Sequence, residues 1–134
     1  MVSVGPEIQA LQTSQDVVVV RQIVRQKTTE MGFSLIGQTK LITAASELAR
    51  NTVEHGRGGQ VRIEPLRNGH RTGLRLIFED SGPGIADIRQ ALTDGYTTGN
   101  GLGLGLGGSR RLVHEFEIES QPGQGTRVTV VAWR

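Results

Sequence analysis

Glu47 and Asn51 lie four residues apart in a segment whose apolar residues recur at helical spacing. At that spacing both side chains project from the same flank of a helix, here beside the apolar stripe and not within it. A carboxylate next to a carboxamide oxygen can polarise a nucleophilic hydroxyl and hold a hard cation such as Mg²⁺. The alternative is an ordinary solvated helix flank, because Glu and Asn side chains are mostly exposed.

A second candidate is the segment of residues 78–85, in which an apolar strand ends at Asp80 and is followed by Gly82 and Gly84. An acidic side chain at a strand end, beside backbone freed by glycine, can accept a hydrogen bond from an amine inside a pocket. The exocyclic amine of adenine is such a donor. The alternative is a simple turn, since Asp, Ser, Gly and Pro are all turn residues.

The third candidate is a glycine cluster, because six of the 19 glycines fall between Gly99 and Gly108. Glycines that lead into a helix allow backbone N–H groups to converge on phosphate oxygens at the helix N-terminus. No Gly-Lys-Ser/Thr follows, and the spacing differs from that of a dinucleotide-binding Gly-x-Gly-x-x-Gly, so another phosphate-binding fold is required. A flexible linker is the alternative, but the interleaved leucines are unlike a solvated linker.

These candidates must be positioned by elements that we predict in the order β-α-α-β-β-α-α-β-β. The first helix is capped by Ser14 or Asp16 and ends at Met31 before Gly32, although four consecutive valines equally favour a strand. The other predicted helices cover residues 37–55, 85–93 and 106–114, and the strands cover residues 7–12, 60–66, 73–79, 117–121 and 126–133. This order predicts an α/β (α+β) two-layer sandwich with a mixed, mostly antiparallel sheet and helices on one face.

Length and composition restrict the class of protein. With 134 residues we expect a single domain over residues 1–134. The 15 basic and 13 acidic residues are scattered, which predicts no nucleic-acid partner. The absence of cysteine excludes disulfides, thiolate chemistry and sulfur-ligated metals. The start lacks signal-peptide features and no apolar run approaches the roughly 20 residues of a membrane span, so we expect a cytoplasmic protein without a membrane partner.

Four short motifs follow one another in the chain: Glu47-x-x-x-Asn51, Asp80-x-Gly82-x-Gly84, Gly101-x-Gly103-x-Gly105 and Gly123-x-Gly125-Thr126. In this order they resemble the motifs of GHKL (Bergerat-fold) ATPases, and the resemblance covers roughly residues 8–134. It implies a site for ATP and Mg²⁺ within a Bergerat ATP-binding fold.

The resemblance also implies a role for each matching residue. Asn51 would bind Mg²⁺, and Glu47 would act as or near the general base. Asp80 would read the adenine amine, with support from Thr126 through a water. Gly82 and Gly84 would flank the base and ribose. The remaining predicted nucleotide contacts belong to a lid over the phosphates: Thr98, Gly99, Gly101, Leu102, Gly103, Leu104 and Gly105.

Within the superfamily, we expect neither the additional domains of gyrases, chaperones and mismatch-repair proteins nor the phosphoacceptor helix of sensor histidine kinases. Residues 46–51 and 94–99 are similar to those of the stressosome switch-protein kinases of the RsbT type, which are related to anti-sigma factor kinases. This implies a serine/threonine kinase that acts on STAS-domain antagonist and scaffold proteins and activates a PP2C-type phosphatase when released. A scaffold-held binding module and an anti-sigma factor that inhibits a sigma factor are the alternatives.

Overall fold

The computed structural model describes residues 6–85, 87–92 and 105–134 of the chain. Within these ranges the elements follow the predicted order. They are β1 (Glu7–Leu11), α1 (Ser14–Glu30), α2 (Leu35–Glu54), β2 (Gly59–Asn68), β3 (Arg71–Asp80), α3 (Ile88–Ala91), α4 (Gly105–Arg111), β4 (Glu115–Gln121) and β5 (Gly125–Trp133). None of the helices in the described ranges is both long and apolar enough to cross a membrane.

The five described strands form one sheet in the order β1-β2-β3-β5-β4. The four neighbouring pairs are all antiparallel, so the part of the sheet that the structure describes contains no parallel pair, although we expected a mixed sheet. The long strands β2 and β3 pair from Gly59 with Asp80 to Asn68 with Arg71. One end of the sheet therefore gathers Asp80, Gly59 and the end of β1, and the predicted site residues of β3 lie there.

The helices cover one face of this sheet, as the order of elements predicts. Alternate strand residues point into the core between sheet and helices, among them Val61, Ile63, Leu76, Phe78, Val128 and Val130. The residues between them carry charge on the opposite face, where Arg75 pairs with Glu64 at 2.7 Å and Arg127 with Glu79 at 3.2 Å. A sheet with one apolar and one charged face needs a single helical layer, which confirms the two-layer sandwich.

Residues 14–30 form helix α1, although the four consecutive valines in this segment equally favoured a strand. Its N-cap is Thr13, and not Ser14 or Asp16 as we expected, because the hydroxyl of Thr13 accepts from the backbone N–H of Asp16 while the Asp16 carboxylate accepts from that of Thr13. This capping box satisfies N–H groups that the first helical turn leaves unpaired. In the sequence, Val17, Val20, Val24 and Met31 recur at helical spacing. The three valines are buried, whereas Met31 is the C-cap and is partly buried against the core.

Helix α2 begins at Leu35, two residues before the predicted start, because the hydroxyl of Ser34 accepts from the backbone N–H of Gly37 and caps it. The helix otherwise has the predicted apolar stripe. All five stripe positions are buried: Leu41, Ala44, Ala45, Leu48 and Thr52. The stripe fixes how α2 is rotated on the sheet, and that rotation determines where its functional flank lies.

Two predicted helices are shorter in the structure. The backbone N–H of Ile85 donates to Ser120, so the chain is not yet helical there, and α3 begins only after its N-cap Asp87. Ala86 and Thr93 lie outside the described residues. Helix α4 ends at Arg111 and not at His114, because the backbone N–H of His114 donates to Val131 and already belongs to the β4–β5 ladder.

Candidate nucleotide-binding site

The C-terminal half of α2 carries the first two predicted site residues. Glu47 directly precedes the buried Leu48, and only 7% of its surface is exposed. One of its oxygens, Oε1, lies 3.2 Å from Nη1 of Arg50, whose side chain is 45% exposed. Asn51, one turn further on, is half-buried. The burial of Glu47 contradicts a solvated flank, because a surface glutamate would not be held inside the protein beside a partly exposed arginine.

A buried carboxylate is costly unless nearby groups compensate its charge. Arg50 supplies part of that compensation to Glu47 from the solvent side. A carboxylate held in this way is preorganised to accept a proton or to orient a hydroxyl. The general-base role of Glu47 and the Mg²⁺ role of Asn51 stay predictions.

Gly56 connects the end of α2 to the acidic end of β3. Its backbone N–H donates to the carbonyl of Asn51 at 3.1 Å, so the chain turns back directly after the helix. Gly56 is buried, and a β-carbon at this position would overlap the side chain of Asp80. A β-carbon on Gly82 would likewise come within 2.7 Å of the Gly56 carbonyl oxygen. Two glycines thus allow the helix end and the loop after β3 to touch.

Asp80 ends β3 and lies opposite Thr126 of β5 in the sheet register. Its Oδ1 accepts two backbone hydrogen bonds, one from Gly82 at 2.9 Å and one from Thr126 at 3.2 Å. Among the described residues, the two N–H groups that donate to this carboxylate both donate to Oδ1. Oδ2 accepts no hydrogen bond from the described residues, so it is the oxygen that the predicted adenine contact would use, and that contact stays a prediction.

A pocket of about 660 Å³ opens at this end of the sheet. Of the predicted residues, Asp80 and Gly82 line it, whereas Glu47 and Asn51 lie outside its lining. The other lining residues come from the loops after β1, α2 and β3 and from the adjoining ends of β2 and β3: Gln12, Gly56, Arg57, Gly58, Gly59, Gln60, Glu79, Ser81 and Pro83. The pocket therefore includes part of the predicted adenine end of the site and not the α2 residues that are predicted to hold Mg²⁺ and to act as the base.

Thr126 contacts Asp80 more directly than we expected. Its backbone N–H reaches the carboxylate, while its hydroxyl lies 2.8 Å from Oγ of Ser120. Support of Asp80 through a water stays a prediction. Ser120 itself did not emerge from the motifs, although a signal was present: Phe116 and Ile118 alternate with glutamates on β4, and Ser120 continues the inward-facing series. A small polar residue in an otherwise apolar, inward-facing series is a signal for a hydrogen-bonding role inside the protein.

The predicted phosphate lid lies largely beyond what the structure covers. Thr98, Gly99, Gly101, Leu102, Gly103 and Leu104 are outside the described residues. Gly105 is the first residue of α4, is buried and has a φ of 72°, a conformation that favours glycine. Helix α4 packs on α2, so the chain leaves the lid segment beside the helix that carries Glu47.

The metal prediction rests on one carboxamide. The described residues contain no group of three or more His, Cys, Asp or Glu side chains that could hold a metal ion. A Mg²⁺ ion that arrives with nucleotide needs few protein ligands, since it keeps waters and binds substrate phosphates. The carboxamide oxygen of Asn51 fits a Mg²⁺ ion that arrives with the nucleotide.

Comparison with known proteins agrees with this geometry. A model of the family described as histidine kinase-, DNA gyrase B-, and HSP90-like ATPases matches residues 36–133. The serine/threonine-protein kinase RsbT of Bacillus subtilis (strain 168) is 42% identical over 123 residues, 92% of this chain and 92% of the relative. An anti-sigma F factor of Thermoanaerobacter sp. (strain X514) is 28% identical over 133 residues, 95% of this chain and 92% of the relative.

Among solved structures, the RsbU and RsbW domains of Rv1364c from Mycobacterium tuberculosis superpose with a TM-score of 0.64 and 23% identity. The match covers 96% of this chain and 33% of that longer one, and at this identity it supports the fold alone. The family model, the identity to RsbT and the arrangement of α2, Asp80 and Thr126 lead to one conclusion. The chain belongs to the histidine kinase-, DNA gyrase B- and HSP90-like (GHKL) ATPase family.

Proposed function

We propose that this protein is an ATP-dependent serine/threonine protein kinase of the RsbT type. The observation that carries the proposal is the buried carboxylate of Glu47, one helical turn before Asn51 on α2. A carboxylate held inside the protein on the helix that also carries Asn51 suits a general base, which phosphoryl transfer uses and a binding module does not need. The 42% identity to the kinase RsbT supports the same class of reaction.

In the proposed reaction a serine or threonine hydroxyl of the substrate protein attacks the γ-phosphorus of ATP. The new O–P bond forms as the bond between the γ-phosphorus and the β–γ bridging oxygen breaks, and ADP leaves. Glu47 orients the hydroxyl and receives its proton. Asp80 accepts from the adenine amine through Oδ2. Most of the catalysis is positioning and charge neutralisation, as is usual in phosphoryl transfer.

ATP fits the residues that the structure describes. Oδ2 of Asp80 is an acceptor without a donor among the described residues, and Asp80 and Gly82 line the pocket at this end of the sheet. Asn51 is the residue that would hold Mg²⁺, whose charge would neutralise the phosphates. Gly105 and the rest of the predicted lid would supply backbone N–H groups to the phosphate oxygens.

The proposed substrates are STAS-domain antagonist and scaffold proteins of a stress-signalling partner switch in the cytoplasm. A PP2C-type phosphatase is the proposed partner when the kinase is released. We propose neither a nucleic-acid nor a membrane partner. The similarity to an anti-sigma F factor keeps one alternative open, in which the chain binds and inhibits a sigma factor.

A single-turnover phosphorylation assay tests the proposal. The protein is mixed with labelled ATP, Mg²⁺ and STAS-domain proteins of the native host, and phosphoserine and phosphothreonine are mapped by mass spectrometry. Glu47→Gln is the matched variant, because it keeps the side-chain shape. We expect it to retain most of the ATP affinity while transfer slows about 10²- to 10⁴-fold, the range of a general base.

Two results would contradict the proposal. Transfer at the parent rate by Glu47→Gln would remove this residue from the mechanism. Absence of transfer to every STAS-domain protein, together with stable capture of a sigma factor by the parent protein, would favour the anti-sigma alternative.

A further inference from the structure

The hairpin formed by β4 and β5 holds the loop that follows Asp80. Three hydrogen bonds join the two, each between residues far apart in sequence. They run from the Thr126 N–H to Oδ1 of Asp80 at 3.2 Å, from the Gly123 N–H to the Pro83 carbonyl at 2.7 Å and from the Ile85 N–H to Oγ of Ser120 at 2.8 Å. The shape of the predicted adenine loop therefore depends on this hairpin.

Ser120 contributes the only hairpin side chain to these three hydrogen bonds, as the acceptor from Ile85, because Thr126 and Gly123 take part through their backbone N–H groups. Its Oγ accepts from Ile85, lies 3.0 Å from the carbonyl oxygen of Gly125 and lies 2.8 Å from Oγ1 of Thr126. The Gly125 carbonyl can only accept, so Ser120 donates its single proton there. The hydroxyl of Thr126 then donates to Ser120. One serine thus satisfies a donor in the loop, a carbonyl in the hairpin and a second hydroxyl.

The loop lies directly against the β4–β5 hairpin on both sides of this contact. Gly84, just before Ile85, has a φ of 76°, and a β-carbon there would overlap the backbone of Gln121. Ser120 and Thr126 are direct partners in the β4–β5 register, so the hydroxyl contact is built into the strand pairing. Both ends of the loop, Asp80 and Ile85, are consequently connected to this one pair of residues.

We propose that Ser120 is a positioning residue that sets the affinity of the site for nucleotide without taking part in phosphoryl transfer. It acts through Ile85 and Thr126 on the orientation of Asp80, and the choice of ATP as ligand rests on the proposed function. Removal of the hydroxyl leaves the Ile85 N–H, the Gly125 carbonyl and the Thr126 hydroxyl without this partner. Each lost hydrogen bond makes the orientation of Asp80 slightly less favourable. The three losses together predict an ATP affinity about 5- to 50-fold lower.

The test compares Ser120→Ala with Ser120→Thr, which restores the hydroxyl. Thr28→Ala is the control, because it also removes a hydroxyl that is hydrogen-bonded to the protein: the buried Thr28 hydroxyl donates to the Val24 carbonyl at 2.8 Å. It lies near the far end of α1, about 20 Å along the helix from the site end. Three quantities are measured on each protein: the ATP dissociation constant by calorimetry, the transfer rate at saturating ATP, and the hydrogen-exchange rate of the Ile85 amide without nucleotide.

We expect Ser120→Ala to raise the dissociation constant about 5- to 50-fold and to leave the rate at saturating ATP within about threefold. Exchange of the Ile85 amide should accelerate at least about tenfold, and Ser120→Thr should restore both properties. Thr28→Ala should lower the thermal midpoint but leave ATP affinity and Ile85 exchange unchanged.

An unchanged dissociation constant or an unchanged Ile85 exchange rate in Ser120→Ala would overturn the inference. An equal loss of affinity in Thr28→Ala would also overturn it, because the effect would then be global destabilisation. The exchange measurement separates this inference from the proposed function. A parent protein that binds no ATP would refute the kinase assignment, whereas the exchange rates would still decide whether Ser120 holds the loop.

Discussion

Asp80→Asn replaces a carboxylate by a carboxamide whose orientation the surrounding backbone dictates. Gly82 and Thr126 both donate to Oδ1, so the variant must place its amide oxygen there to keep both hydrogen bonds. Its NH₂ group then occupies the position of Oδ2. A donor therefore faces the adenine amine, which is itself a donor, and the contact that the carboxylate would make is lost.

The size of the effect follows from the chemistry of that contact. A hydrogen bond to a charged group contributes about 1.5–3 kcal/mol, and Asp80 is half-buried, so a value near the lower end applies. About 2 kcal/mol corresponds to roughly 30-fold weaker ATP binding. Inosine triphosphate differs at this position, because its six-position carries an oxygen that accepts from the new NH₂ group. We expect the variant to bind inosine triphosphate better, relative to ATP, than the parent does.

Calorimetric titration of both nucleotides into parent and variant measures this change, at one fixed Mg²⁺ concentration. Asp87→Asn is the matched control, since it makes the same chemical change at the exposed N-cap of α3. The control should keep the parent preference. An equal loss of affinity for both nucleotides in Asp80→Asn, or unchanged ATP binding, would refute the assignment of Oδ2 to the adenine amine.

Two further predictions concern glycine clearance and helix capping. Gly56→Ala places a methyl group against the Asp80 side chain and should weaken ATP binding more than about tenfold. Gly37→Ala is the control, because the new methyl group would lie 3.3 Å from its nearest atom and should leave the ATP dissociation constant unchanged. Equal ATP affinities of the two variants would contradict the contact between Gly56 and Asp80. Hydrogen bonds from the backbone N–H groups of Gln12 and Thr13 lower the pKa of Asp16 below its ordinary value of 3.8. The ionised Asp16 side chain therefore contributes fully to stability above pH 3.8, and this contribution is lost as the pH falls through the lowered pKa. Urea unfolding should therefore show Asp16→Asn less stable than the parent at pH 7 and nearly equal to it at pH 2.

The order of elements and most of the core were predictable from the sequence, because local periodicity reports which side of an element is buried. The stripe of α2 from Leu41 to Thr52 and the alternation in β3 are examples. Caps and helix ends were less predictable. Thr13 and Ser34 were missed because several neighbouring residues can cap a helix, and α3 was overextended because Ile85 is bonded to a distant strand.

The candidate site divides in the same way. Spacing alone placed Glu47 and Asn51 on one flank of a helix and Asp80 at the end of a strand, since those relations are local. The burial of Glu47 and its contact with Arg50 depended on how α2 packs. The hydrogen bonds from Thr126 to Asp80 and from Ile85 to Ser120 join residues 46 and 35 positions apart. Local spacing carries no information on such contacts, because only the pairing of β3, β5 and β4 in the folded sheet brings these residues within hydrogen-bonding distance.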